Sequence, residues 1–337
     1  MVDKRRELGL KAIKGARDDR ERTKFGRITP RVWVFAAASI LSTMVVARMY
    51  SGRELGNAKE TLLQKQRAAD KTVGARWYPL RDRIESFTVD AAKAYKGDLV
   101  TPEAATLNFR TLPGIYLRLR TADAQSVESI HKVAPESVKD GFTSCLLRTR
   151  NDAAARGEPD AGAAPDQPWN LRQAYASTRI LTEDWVREVR ESPDTVRLRI
   201  FEDQYDKAEK NEIPKAIDIV TRAQFFLLVL DEDADAARQY AEDGGGITTE
   251  ALQQVPHAAR VHVLNLKTGE EMLRVRREAD GQVRMVSDGQ LRDPEIRAAL
   301  RRQVNNCALA QNVLDAARPA APAASDAGTD ATTDAAP

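Results

Sequence analysis

Two cysteines, three histidines, a run of acids and six arginines at alternating positions are the residues of this 337-residue chain that could do chemistry. Cys145 lies in the apolar stretch FTSCLLR, read as an interior strand, and Cys307 on the apolar side of an expected final helix. Both therefore point into a core. In an oxidising compartment the pair can form one disulfide; in a reducing one they are two buried thiols.

The acidic run LDEDADAARQYAED places Asp231, Asp233, Asp235 and Glu242 at positions 1, 3, 5 and 12 of a calcium loop. Position 6 is Ala236, where the sharp turn needs glycine, and the run follows a strand. A helix opened by acids explains the same residues through the helix dipole. His257 and His262 are five residues apart, with no Cys or acid at zinc-ligand spacing, and His131 stands alone, so all three read as structural or surface side chains. GGGITT, from Gly244 to Thr249, lacks the lysine of a phosphate loop and reads as a turn. The chain has no nucleophile elbow and no dinucleotide fingerprint. Hence no catalytic residue, cofactor or metal site is assigned.

Arginine alternates with apolar residues in IYLRLR, VRLRI and LRVR. If these three stretches are neighbouring strands, Arg118, Arg120, Arg197, Arg199, Arg274 and Arg276 oppose the core and line one sheet face. Such a face calls for acidic neighbours or an anionic partner. The bland alternative is a solvated face balanced by nearby Asp and Glu.

Period-two alternation predicts strands at 115–119, 196–200 and 273–275, and the continuous FFLLVL from Phe225 an interior strand. ARVHVLNLKTGEEMLRVRREADGQVRMVS reads as a three-strand meander, turning at Gly269 and at Asp280–Gly281. Helices are expected over 169–191, and from Pro294 with Ile296, Leu300, Val304, Cys307 and Leu314 on one side. Leu55, Leu62 and Ala69, then Leu80, Ile84, Phe87, Ala91 and Tyr95, mark two amphipathic helical segments within 51–100, a helical stalk beyond the anchor or helices packed on the domain behind them. Strands separated by helices and ending in a meander give an α+β domain over 101–317. Residues 151–168 and 318–337, rich in Ala, Pro, Asp and Gly, read as a flexible loop and a disordered tail.

Residues 1–31 hold eleven Lys and Arg against five acids, although the whole chain carries only +2. The sequence beyond Tyr50 is correspondingly acidic, so a nucleic-acid binder is not expected. From Val32 to Ala47 sixteen residues carry no charge, and Arg48 can snorkel while Met49 and Tyr50 extend the run. Nineteen residues make roughly 28 Å of helix, close to the hydrocarbon thickness of a bilayer. Thr29 and Pro30 start it, and Trp33 and Tyr50 suit the interfaces. The expectation is a retained transmembrane anchor over 32–50 rather than a cleaved signal with Val45–Ala47 at its end. The basic bias puts 1–31 in the cytoplasm and the domain outside, as in a bacterial inner membrane. The function expected is binding or scaffolding in the cell envelope, towards a protein or an anionic ligand. A membrane-tethered enzyme such as a hydrolase is the alternative, and a cytosol-facing assembly subunit a third.

Overall fold

The computed structural model describes residues 30–137, 141–147, 168–240, 246–282 and 293–318, with no side chain described at 30, 47, 48, 50 and 51. The fold is α+β around one mixed six-stranded sheet. The strands are β1 Leu99–Val100, β2 Gly114–Arg120, β3 Trp169–Asn170, β4 Phe225–Asp231, β5 His257–Asn265 and β6 Glu271–Ala279. Across the sheet they run β1-β6-β5-β4-β2-β3. Strand β2 is parallel to β3 and β4, while β4, β5, β6 and β1 pair antiparallel in turn.

Among the described residues there are ten α-helices. They are α1 Pro30–Ala92, α2 Pro102–Thr106, α3 Val127–Val133, α4 Phe142–Leu147, α5 Arg172–Thr178, α6 Glu183–Glu191, α7 Thr195–Lys207, α8 Ile213–Arg222, α9 Thr249–Leu252 and α10 Pro294–Ala317. By packing, the chain divides into two compact units. One holds residues up to 64 together with 192–198; the other holds 65–191 and everything after 198.

In the first unit, α1 carries ten large apolar side chains, from Val32 to Met49, that are 52 to 75% exposed. Among the described residues no helix is long and apolar enough to cross a membrane. The uninterrupted uncharged run ends at Arg48, and the sixteen residues from Val32 to Ala47 make about 24 Å of helix, against a hydrocarbon core of roughly 30 Å. The expected transmembrane helix over 32–50 is therefore not carried by the described residues. The basic segment 1–31 falls almost wholly outside them.

The two amphipathic segments expected within 51–100 are one helix. It runs through Pro79, which removes the bond to the carbonyl of Ala75. In the larger unit α1 buries Trp77, Ile84, Thr88 and Ala92 at helical spacing, with Phe87 edge-on to Phe226 of β4. The sheet face carrying Ile115, Leu117, Leu119, Phe226, Leu228 and Leu230 is wholly buried. On the other face Tyr116, Phe225, Leu227, Val229, Val261, Val263, Leu273 and Val275 form a second core with Leu309, Ala310 and Val313 of α10 and with Phe142 and Leu146 of α4. Strand β4 lies between covered faces, which is why its sequence is apolar without alternation.

Gly114 starts β2 directly opposite Phe225, whose ring occupies the space a Cβ would need. Gly269 turns the β5–β6 hairpin at φ +78°, in the left-handed region that glycine adopts freely. The third strand expected beyond Gly281 lies outside the described residues, as do 151–167 and 319–337.

Three expectations of local structure change. VRLRI is part of helix α7, capped by the Asp194 carboxylate on the Arg197 amide (2.8 Å), with Leu198, Phe201 and Tyr205 buried at helical steps. FTSCLLR is helix α4 rather than a strand. The single helix over 169–191 is the short β3 followed by α5 and α6, separated by a 3-10 turn at Arg179–Leu181. The start of α10 at Asp293–Pro294 is as read, with Asp293 accepting from the Glu295 and Ile296 amides. Its buried side is rotated, however, and includes Asn305 and Asn306, while Ile296 is exposed. Cys145 of α4 and Cys307 of α10 are joined by a disulfide, with Cα atoms 5.0 Å apart.

Candidate functional site

The end of α1 and the β5–β6 hairpin enclose a pocket of about 60 Å³. Its floor is apolar, from Phe87, Ala91 and Ala94; its walls are polar, from Asp90, Tyr95, Lys96, His262, Glu271 and Arg274. The hairpin supplies the last three because His262 and Arg274 are register partners and Glu271 follows the turn. Glu271 spends both oxygens, Oε1 at 2.7 Å from His262 Nδ1 and Oε2 at 2.9 Å from Arg274 Nη1. A carboxylate only accepts, so Nδ1 carries a proton and donates. The other ring nitrogen, Nε2, is buried with no hydrogen-bond partner among the described residues. Phe87 stands perpendicular to the imidazole, 6.0 Å between ring centres, and fixes its plane. Arg274 is held from behind, its Nε donating to the carbonyl of Gly97 at 2.9 Å. Partial burial and the Asp98 carboxylate, to which its hydroxyl donates, push the Tyr95 phenol up to about 12, so it stays protonated.

A second polar cluster lies on the opposite sheet face. Arg118 grips Asp231 with two bonds, Nε to Oδ2 at 2.7 Å and Nη2 to Oδ1 at 2.8 Å, and both side chains are inaccessible to solvent. His257 Nε2 lies 3.1 Å from Asp231 Oδ1, and Arg118 Nη1 donates to Asn306 Oδ1 at 2.5 Å. Asn306 and Asn305 donate in turn to the side-chain and main-chain oxygens of Gln253 at 3.2 and 2.9 Å. Burial alone would raise the Asp231 carboxyl, but the Arg118 guanidinium and the His257 contact outweigh it and hold it at about 2. With no opening to solvent, this cluster ties α10 to the sheet.

A third cluster joins α1, α3 and α5. The buried Glu85 carboxylate lies 2.7 Å from His131 Nε2 and accepts from the Tyr175 hydroxyl at 3.0 Å. Burial, and then the Glu85 charge, raise the Tyr175 phenol well above its ordinary value.

The six arginines do not form one face. Arg118 is buried in its ion pair, and Arg120 at the end of β2 pairs with Asp233 at 2.9 Å. Arg197 and Arg199 belong to helix α7. Arg276 pairs with Glu232 at 2.7 Å, as does Arg260, and only Arg274 reaches the pocket. Asp231 and Asp233, which coincide with calcium-loop positions 1 and 3, are each taken by an arginine, and Glu242 lies outside the described residues. Among the described residues no group of three or more His, Cys, Asp or Glu side chains could hold a metal ion.

Sequence reasoning passed over Glu271 and Glu85. The hairpin register was the available signal for Glu271, since a turn at Gly269 folds it back towards His262. No comparable signal links Glu85 to His131, forty-six residues away. The pocket offers cationic donors, a carboxylate-oriented imidazole and an apolar floor, which suits recognition of a few-atom polar group. Comparison with protein-family models, curated proteins and solved structures finds no match for the chain.

Proposed function

We propose that this is a membrane-attached protein whose α+β domain binds or scaffolds a component of the cell envelope. The observation that carries the reading is the exposure of ten large apolar side chains along residues 32–49 of α1. Burying such side chains in lipid is worth about 1.5–3 kcal/mol each, and isolated exposed residues do not cluster in this way. The anchor proposed is the whole stretch 32–50, with Arg48 snorkelling to the interface. The basic excess before Val32 supports a cytoplasmic N-terminus and an extracytoplasmic domain in a bacterial inner membrane. The Cys145–Cys307 disulfide supports the same side, since such bonds persist in oxidising compartments.

A tethered enzyme is the second reading, and the Glu271–His262 pair favours it, because an oriented imidazole can serve as a base. The small pocket weighs against a polymeric substrate. The test is alkaline carbonate extraction of membranes from cells expressing the full chain, with a compartment-specific reporter at its C-terminus. Retention in the pellet with an extracytoplasmic reporter signal supports the anchor and its orientation; release into the supernatant overturns the anchor.

A further inference from the structure

We propose that the pocket between the end of α1 and the β5–β6 hairpin binds a small carboxylate, and this stands whether or not the apolar stretch of α1 is seated in lipid. The first argument is an imbalance of hydrogen-bonding capacity. Both Glu271 oxygens are already used, by His262 and Arg274, and at the exposed rim Asp90 pairs through Oδ1 with Lys93 at 2.6 Å. The donors are not used up. Arg274 commits Nε to Gly97 and Nη1 to Glu271, which leaves Nη2 with no acceptor among the described residues, and Lys96 has no hydrogen-bonded carboxylate there. A ligand that meets Arg274 Nη2 and Lys96 must accept, and an anion does so most strongly against a guanidinium.

The second argument is size. A water needs about 10–15 Å³ of such space, so about 60 Å³ holds four to six waters or a ligand of roughly that many heavy atoms. The third is shape and polarity. A planar carboxylate matches the edge of a guanidinium, and its short carbon tail matches the floor made by Phe87, Ala91 and Ala94. Arg274 is pinned by two bonds to its own hairpin and the α1–β1 turn, so it is ordered before the ligand arrives.

The test uses the full chain in detergent, titrated with sodium acetate against sodium chloride at fixed ionic strength, with melting temperature as the readout. A saturating rise with acetate is expected, with half-saturation in the millimolar range that a four-atom ligand permits. Arg274→Gln should shift half-saturation at least tenfold. It also loses the tie to Gly97, so Lys96→Gln, at an exposed position, is the second variant and should weaken binding several-fold. Arg297→Gln, an exposed position on α10, should leave the curve unchanged. No saturable rise with acetate overturns the proposal, and so does an unchanged curve in both pocket variants. An equal response to inorganic phosphate would also overturn it, by showing an anion site without preference for carboxylate.

Discussion

Arg118 on β2 and Asp231 on β4 meet across a parallel strand pair through two hydrogen bonds of 2.7 and 2.8 Å, with neither side chain reached by solvent. An ion pair this deep adds little over a well-packed apolar pair, but losing one member is costly, because the survivor is left charged and buried. Asp231→Asn should therefore lower unfolding free energy by about 3–5 kcal/mol in urea titration. The double variant Arg118→Met with Asp231→Leu should recover only part of the loss, because His257 Nε2 and Asn306 Oδ1 then lose the partners they have here.

The same pair sets an acid limit. Asp231 is held at about 2, below its ordinary 3.8, so its contribution is fully present above pH 4 and is lost as pH falls towards 2. The difference amounts to about 2 kcal/mol at neutral pH. The acid-unfolding profile of the wild type, followed by circular dichroism, should steepen between pH 4 and 2. Asp231→Asn should flatten that window.

The disulfide closes a sequence separation of 162 residues. The chain-entropy model values such a closure at about 5 kcal/mol, an upper figure for most real bridges. Purified protein should show no free thiol by thiol titration until it is unfolded in reductant, and Cys145→Ser with Cys307→Ser should melt well below the wild type. Two reactive thiols in the native, unreduced protein would contradict the bridge.

Gly114→Ala places a methyl group where the Phe225 ring sits. The ring is wholly buried and has no free space to yield, so a loss of about 1–3 kcal/mol is expected in the same urea assay. Phe225→Leu added to Gly114→Ala should cost less than the two single losses added together, since the pair is in contact.

How much of this was legible beforehand differs from element to element. The hairpin of β5 and β6 was, because alternation and a glycine turn specify both strands and their pairing, and with them the approach of Glu271 to His262. The α+β class followed from the same patterns. VRLRI was misread because five residues are too few to separate a period of two from 3.6 when only Leu198 is buried. Val196 and Ile200 are exposed, and Leu198–Phe201–Tyr205 was the true signal. FTSCLL is shorter than any reliable period. Arg118 with Asp231 was out of reach because the two are 113 residues apart and depend on the parallel pairing of β2 with β4. The asparagines of α10 were out of reach for a related reason: polar residues on the buried side make sense only once Arg118 and Gln253 are in place.

Those asparagines give α10 a single address on the sheet. A helix packed by Leu309, Ala310 and Val313 alone could slide by one turn and still bury aliphatic groups. Sliding it so that the preceding turn takes their place would bring Arg301 and Arg302 to the positions of Asn305 and Asn306, setting a second guanidinium against Arg118. Sliding it the other way would offer Leu309 and Ala310 to partners that need an amide. Both misalignments carry a penalty that the apolar contacts do not impose, so the two amides act as a latch on registry, and Cys307 beside them reaches Cys145 only in the permitted setting.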